Sequence, residues 1–494
     1  MSHDELITST AQWTLVIHRV TDTTAEIFVG TLFPTLKMPA RARVRLTLPD
    51  GRTRTRQIFK RNWRRPFRKL NQRFYTVCRF ENLIPGTRYS VMFSRRIEAL
   101  GDVVPESWQK LKTGTFDTLP PRLPLKGKKP FTIGLGSCFY NHRDGGQAAA
   151  SYKALYTRGS DAVRPDITFL TGDQVYLDIG FDSLSLLPHE IRQRIANDYA
   201  LHWQALGSIL NRGGTWMLPD DHEYWNDFPF YDSLIPTLLA LKLPWVRKNW
   251  KSAARDGVKN IQRSPQVEIL SIGKDLSICL ADLRSFREKK RMISKQAFAP
   301  IVNWATSLKS PGILVSPQPL IVEKNSSERN LLSFEAQYTE LLRALAHSGH
   351  DIVLLSGDVH FGRIATVPLG NNGGRLIEVI ASPMSNLTGL NGVATSGPKS
   401  RPKKFPDPKA LKIEGWDPAT VTYDSAFNVT TKKGRVLSAY PKKRTRDHFM
   451  TISFCRLRSG GIQLNANAWQ IRARSGSKNL PVKDFKKTFT FTLT

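Results

Sequence analysis

Apolar residues alternate with polar ones along the first ~115 residues: Trp13, Leu15 and Ile17, then Ala25, Ile27 and Val29, then Val44, Leu46 and Leu48. Period two places one side of an extended chain against a core, so the N-terminal part is expected to be β. A Pro85-Gly86 turn leads into alternating Tyr89, Val91 and Phe93. The segment from Leu119 to Pro130 is too rich in proline for a central strand or a helix and reads as a linker. From Phe131 the texture becomes α/β. Short apolar runs (Phe131 to Leu135, Ile167 to Leu170, Trp216 to Leu218, Leu276 to Ala281, Ile352 to Leu355, Leu376 to Ile380) are separated by longer mixed stretches. One stretch starts at Ser333, a suitable N-cap, and places Phe334, Tyr338, Leu341, Leu342 and Leu345 on one helical face. Residues 392–446, rich in Lys, Pro and Gly, read as a long loop or insertion. Alternation returns from Phe449 to Thr494, enough to close a sheet.

No apolar run reaches the ~18 residues of a membrane span, and MSHDELITST has neither the basic nor the apolar region of a secretory signal. A cytoplasmic location is the expectation. The four cysteines (Cys78, Cys138, Cys279, Cys455) are too scattered for a disulfide framework or a zinc knuckle and are expected reduced. Charge changes the picture more. Lys plus Arg is 73 and Asp plus Glu is 41, a net +32. The interval Arg41–Arg73 holds much of that excess against one acid, Asp50, with Trp63 and Phe67 interleaved. It is either a contact for polyanions (nucleic acid, anionic lipid, polyphosphate) or a solvated basic face.

The chemistry follows the apolar runs. The first ends in Gly136-Ser137-Cys138; the second enters Gly172-Asp173-Gln174-Val175-Tyr176-Leu177-Asp178; the third enters Pro219-Asp220-Asp221-His222-Glu223-Tyr224-Trp225-Asn226. Asp282-Leu283-Arg284-Ser285-Phe286-Arg287 and Ser356-Gly357-Asp358-Val359-His360 follow two more. In open α/β sheets ligands gather at the carboxyl ends of strands, so this recurrence marks a candidate site. Taken singly, each motif has a plain structural explanation: a Gly-Asp turn, a buried thiol at Cys138, arginines neutralising local acids. Acids clustered around His222 in a basic protein do require compensation, and a cation supplies it.

Taken together, Gly-Asp-x-x-Tyr-x-Asp, Asp-Asp-His-Glu-x-x-Asn, Asp-x-Arg-x-x-Arg and Ser-Gly-Asp-Val-His-Phe, preceded by Ser-Cys, resemble the signature set of PhoD-like alkaline phosphatases and phosphodiesterases, a branch of the calcineurin-like metallophosphoesterases. The resemblance covers roughly Phe131 to Asn386. The Pro-Gly-Thr-x-Tyr strand entry resembles that of fibronectin type III sandwiches. The implied fold is α/β (α+β): a fibronectin III-like β-sandwich over 10–117, a linker over 118–130 and a four-layer α/β/β/α metallophosphoesterase domain over 131–494. The implied metal ligands are Cys138, Asp173, Tyr176, Asp221, Asp358 and His360, holding two or more ions, Fe(III) with Ca(II) or other divalent metals. A thiolate is a soft donor and a phenolate forms only beside a strongly Lewis-acidic ion, which suits ferric iron. His222 and Arg284 are the implied catalytic pair, with Asn226 and Arg287 contacting substrate. The implied reaction is metal-dependent hydrolysis of a phosphate mono- or diester by in-line attack of an activated water. A different class remains open: a polyanion-binding protein using Arg41–Arg73, in which the metal site is structural. Substrate choice is expected in loops such as Tyr231 to Ser264 and 392–446.

Overall fold

The alternation of the N-terminal part becomes seven strands: β1 (Trp13–His18), β2 (Ala25–Thr31), β3 (Arg41–Thr47), β4 (Thr53–Phe59), β5 (Phe74–Phe80), β6 (Arg88–Ile97) and β7 (Ser107–Asp117). The structure, a computed structural model, describes residues 10–35, 38–97, 107–180, 184–231, 236–324, 330–371, 373–387, 401–424, 447–471, 481, 483 and 487–494. The Pro85-Gly86 turn precedes β6, and Gly86 takes a φ of 61°. There the Tyr89 hydroxyl accepts the Ile84 N–H at 2.9 Å, which ties the turn to the strand it opens.

The α/β region adds β8 (Phe131–Gly136), α1 (Gln147–Arg158), β9 (Ile167–Thr171), α2 (Pro188–Leu210), β10 (Gly214–Leu218), α3 (Pro244–Gly257), β11 (Val267–Ile272) and β12 (Leu276–Ala281). It continues with α4 (Lys295–Thr306), β13 (Gly312–Val315), α5 (Glu335–His347), β14 (Ile352–Ser356), β15 (Arg363–Pro368) and β16 (Arg375–Ile380). The tail supplies β17 (Lys404–Phe405), β18 (Ala419–Thr420), β19 (Thr422–Tyr423), β20 (His448–Arg456), β21 (Ile462–Gln470) and β22 (Phe489–Leu493). Each apolar run named above is a strand. β8, β9 and β10 run parallel, as do β12, β13, β14 and β16.

Two large sheets result. One is nine-stranded, in the order β22-β21-β20-β8-β9-β10-β1-β2-β5, and the other is seven-stranded, β11-β12-β13-β14-β16-β15-β19. Ile133, Phe169 and Trp216 of the first pack against Ile278, Val315 and Leu355 of the second. The far side of the nine-stranded sheet is covered by α1, α2 and α3 through Leu155, Trp203 and Trp250. Phe298 and Trp304 of α4 and Leu341 and Leu342 of α5 cover the far side of the other sheet. The layers are therefore helix, sheet, sheet, helix, which leaves both sheets buried on two faces. That burial explains the unbroken apolar runs.

The N-terminal strands divide between two sheets. β4-β3-β6-β7 form a four-stranded sheet, whereas β1, β2 and β5 join the nine-stranded one where β1 runs parallel to β10, with His18 opposite Thr215. The sandwich expected over 10–117 thus shares a sheet with the region beyond the expected linker. β1 is buried along its whole length, because Val16 meets the helical layer while Leu15 and Ile17 face the four-stranded sheet. The 118–130 segment is strapped down by Leu119 and Leu123, both in the central core.

Three further expectations change. The first turn of the helical segment at 331–347 is capped by Asn330, whose Oδ1 accepts the Leu332 N–H at 3.1 Å, and not by Ser333. The predicted apolar face of α5 is buried as expected. Tyr231 to Ser264 is not a loop throughout, since it contains α3, which buries Val246, Trp250, Ala253 and Ala254. Within 392–446, residues 401–424 are described, and they are not a plain loop. Phe405 and Trp416 are buried, and β19 pairs with β15. Two-residue strands are too short to show a period. The rest of that segment lies outside the described residues. No helix among the described residues is long and apolar enough to cross a membrane.

Candidate metal centre

The loops leaving the carboxyl ends of β8, β9, β10, β12 and β14 converge, and loops after β13 and β16 join them. Backbone conformation at the convergence is unusual. Cys138 (φ 55°), Asp173 (φ 56°), Asp358 (φ 67°) and His360 (φ 53°) all lie in the left-handed region, where non-glycine residues carry strain. Gly357 precedes Asp358 for a packing reason: a Cβ there would stand 2.4 Å from Ser137 Cβ and 2.7 Å from the Thr171 carbonyl oxygen. Three ligand-bearing strand ends therefore touch through a position with no side chain.

The donors fall into three overlapping groups: Cys138, Asp173 and His360; Asp173, Asp221 and His222; and Asp220, Asp221 and Asp358. Within each, the candidate ligand atoms lie within 4.8 Å of one another. Asp173 and Asp221 each belong to two groups. Tyr176 stands beside the first, its hydroxyl 3.5 Å from His360 Nε2. The structure thus brings Cys138, Asp173, Tyr176, Asp221, Asp358, His360 and His222 to one place and adds Asp220, to which the sequence reading gave no role.

Electrostatics agree with a cation site. Burial, reinforced by Asp173 and Asp358, pushes the Cys138 thiol well above its usual range. Burial likewise pushes Asp173 well up, with Asp221, Asp220 and Glu223 adding to it against His222. Tyr176 is raised by burial and by Cys138 and Asp173. Asp221 is lowered, because His222 and Arg284 outweigh its burial. His222 is raised, as Asp178, Asp221 and Asp173 outweigh burial. Asp221 Oδ1 and Asp220 Oδ2 are buried and, among the described residues, have no hydrogen-bond partner. Orphaned carboxylate oxygens in a dry site are costly unless something positive meets them.

A surrounding shell fixes the donors. His222 Nδ1 lies 2.7 Å from Asp178 Oδ1, and the other oxygen of Asp178 accepts the Asn226 N–H at 2.8 Å. The buried Glu223 carboxylate accepts the N–H groups of Asp173 (2.9 Å), Gln174 (2.6 Å) and Asp220 (2.8 Å) and the Gln262 side chain (3.0 Å). It thereby ties the Gly-Asp loop to the Asp-Asp-His loop. Ser382 Oγ donates to Cys138 Sγ (3.1 Å) and accepts the His360 N–H (3.0 Å). Gln318 donates to Asp358 Oδ2 at 3.0 Å and accepts from Arg287 at 2.8 Å. The expected catalytic arginine and the expected substrate-contacting residues are engaged within the protein. Arg284 is buried in an ion pair with Asp220 and donates to the Phe228 carbonyl at 3.0 Å. Arg287 holds the Leu283 carbonyl (3.1 Å) and Gln318, and the Asn226 side chain donates to Asp227 at 3.1 Å. Sequence reasoning missed Ser382 and Gln318, which are uncharged, and Glu223, whose role is to hold backbone.

Beside this centre lies a cleft of about 780 Å³ lined by Tyr140, His142, Ile179, Arg194 and Leu201. Tyr140 borders both, its ring edge-on to Tyr176 with centroids 5.8 Å apart.

Comparison with known proteins adds little. No family model and no curated protein matches the chain. Solved structures sharing part of its backbone include a redesigned β-sandwich protein, 15% identical, covering 21% of this chain and 88% of that one at a TM-score of 0.15. The sensor domain of an anti-sigma factor from Pseudobacteroides cellulosolvens is 12% identical over 22% of this chain and 93% of that one, at 0.15. A glycosyl hydrolase family 2 member from Bacteroides cellulosilyticus is 12% identical over 70% of this chain and 37% of that one, at 0.22. Likeness at these scores assigns neither fold family nor activity.

Proposed function

We propose that the chain is a metal-dependent phosphoesterase, hydrolysing phosphate mono- or diesters at a two-ion centre, as its motif resemblance to PhoD-like metallophosphoesterases implies. The observation that carries this reading is the overlap of three donor groups through Asp173 and Asp221, with buried carboxylate oxygens left for a cation. The donor chemistry fits two unlike ions. Cys138, Asp173 and His360, with Tyr176 alongside, offer sulfur, imidazole and phenol to an ion such as Fe(III). Asp220, Asp221 and Asp358 offer only oxygen, which suits a hard ion such as Ca(II). Adjacent ions of this kind would activate a water and neutralise charge on the phosphoryl oxygens.

The protein's own groups do the positioning. Asp178 accepts at Nδ1 of His222 (2.7 Å), so the ring is held with Nε2 as its other polar atom, placed to meet a leaving oxygen. Arg284, buried beside Asp220, adds fixed positive charge next to the donor cluster without being free to reach far. The cleft at Tyr140 and Ile179 is where a leaving group would lie.

The test is turnover of p-nitrophenyl phosphate and bis-p-nitrophenyl phosphate by metal-loaded protein, alongside Asp173→Asn and His222→Ala variants shown to be folded. Activity in the parent and its loss in both variants is the expected result. Full metal occupancy without turnover of either ester would overturn the reading and favour the alternative of a polyanion-binding protein with a structural metal site.

A further inference from the structure

The basic interval Arg41–Arg73 is not used by the metal centre, and the structure separates it into parts with different fates. Arg73 is buried and structural: it donates to the Ala196 carbonyl at 2.9 Å. Arg54 turns to the Glu81 carbonyl at 2.8 Å, and Arg52 pairs with Asp50. Arg41, Arg43 and Arg45 are different. They alternate with Ala42, Val44 and Leu46, which enter the core, so the three guanidinium stems share the outer face of the four-stranded sheet.

Register places their neighbours. Arg43 lies level with Gln57, Ser94 and Lys110, and Arg45 with Thr55, Met92 and Thr113; the next row is Thr53, Thr47, Ser90 and Thr115. None of these residues is acidic. Among the described residues no carboxylate pairs with Arg41, Arg43 or Arg45, and the Nε atoms of Arg43 and Arg45 are buried without a hydrogen-bond partner. The Arg43 guanidinium lies 3.9 Å from the centre of the Trp108 ring, a flat cationic and aromatic pair on the same face. The face deepens into a cleft of about 440 Å³ that includes Arg45, Met92, Thr113 and Arg212. Arg212 precedes β10, so this cleft sits at the end of that strand opposite the metal centre.

We infer that this face is a binding surface for single-stranded nucleic acid. Cations two residues apart on one strand are about 7 Å apart, a spacing that suits successive phosphates of an extended strand. Trp108 offers a stacking partner for a base. Arg43 and Arg45 are half-buried in a concave face rather than raised on it, which suits a strand lying in a groove better than a flat lipid surface. The inference stands apart from the phosphoesterase reading, because the surface and the metal centre share no residue.

The test is fluorescence anisotropy with a labelled oligo-dT and oligo-U, a duplex of equal length and phosphatidylserine vesicles as the other arms, across a salt series. The protein variants are Arg41→Gln/Arg43→Gln/Arg45→Gln, Trp108→Ala, and Lys274→Gln/Lys309→Gln/Lys412→Gln as a charge-matched control. Single strands should bind more tightly than the duplex. The arginine triple should weaken binding at least ~10-fold and lower the log–log salt slope by about 2, since each phosphate no longer neutralised removes ~0.7. Trp108→Ala should weaken it severalfold, the control triple should match the parent, and turnover of p-nitrophenyl phosphate should stay unchanged in all. Equal losses in the arginine and control triples, or tight binding to vesicles alone, would overturn the inference.

Discussion

Gly357 is where the geometry of the candidate metal centre can be tested without touching a donor. Replacing it by alanine puts a methyl 2.4 Å from both Cβ and Oγ of Ser137 and 2.7 Å from the Thr171 carbonyl. Carbon atoms rest about 3.5–4.0 Å apart, so more than ~1 Å of separation has to be found. Neither Ser137 nor Thr171 can swing away: the clash is with a Cβ and a backbone oxygen, and the Ser137 hydroxyl is bonded to the Ala381 carbonyl at 2.9 Å. The strand ends must part instead, and they carry Cys138, Asp173 and Asp358. Overpacking of this kind costs ~1–3 kcal/mol, and donors displaced by ~1 Å lose their shared geometry. Gly207→Ala is the control, since a Cβ there meets nothing within 4 Å. It lies within α2, where alanine should add ~0.5–1 kcal/mol. Urea unfolding and metal content of purified protein, measured on both variants, give the answer. Gly357→Ala should lose stability and bind substantially less metal, while Gly207→Ala gains stability at parental metal content. A Gly357→Ala protein with parental stability and full metal occupancy would refute the claim that these three loops pack through that position.

Other consequences can be checked separately. Asp178→Asn should lower kcat ~10–100-fold with metal content retained, because an amide has one acceptor oxygen for the two partners His222 and Asn226 and no charge to favour the protonated ring, while Asp178 is not itself a donor in the cluster; an unchanged kcat would remove His222 orientation from the scheme. Chelation should lower the melting temperature, since ions present at 1,000 times their Kd add about 4 kcal/mol each to the folded state, and a melt indifferent to chelator would argue against a buried centre. Acid should destabilise the fold through His202, which burial holds down at about 4. Above pH 6.5 this histidine is neutral folded or unfolded, and its contribution is complete. Below 6.5 the unfolded chain takes up the proton first, so stability falls by ~1.4 kcal/mol per pH unit, or about 2 kcal/mol by pH 5. Urea titrations at pH 7 and 5 on the parent and His202→Gln should show that difference shrinking in the variant. Equal differences would mean that His202 is not the proton sink.

The strands of the two central sheets were readable because burial on both faces leaves continuous apolar runs, and their polar exits stand out against them. What sequence could not show was the partition of the N-terminal strands. β1 and β3 carry similar alternation, yet β1 is covered on both sides and β3 on one. The difference lies in α2, a distant helix that packs over Val16, and in a parallel contact between His18 and Thr215 across 197 positions. Alternation records which side chains are apolar, not what later arrives to cover the others. The helix α3 was hidden for a related reason: its Lys- and Arg-rich outer face lowers the apparent apolarity of a segment whose inner face is fully buried.

At the candidate centre, the residues that the fold gathers were readable by their strong chemistry and those that aim them were not. Cys138, Asp173, Asp221, His222, Asp358 and His360 declare themselves by type and by place after a strand. Gln318 and Ser382 follow β13 and β16 just as closely, but an amide and a hydroxyl carry no signal until the fold sets them against Asp358 and Cys138. The backbone supplies one more fact that no residue type announces. Four of the donors, Cys138, Asp173, Asp358 and His360, are held at positive φ, where a side chain costs ~1–3 kcal/mol. Two are aspartates and one is a histidine, types that enter the left-handed region more readily than other side chains do, whereas Cys138 has no such tolerance. Positive φ at four clustered donors fixes where their side chains point, and it is this shared constraint that motivates the proposal of a cation among them.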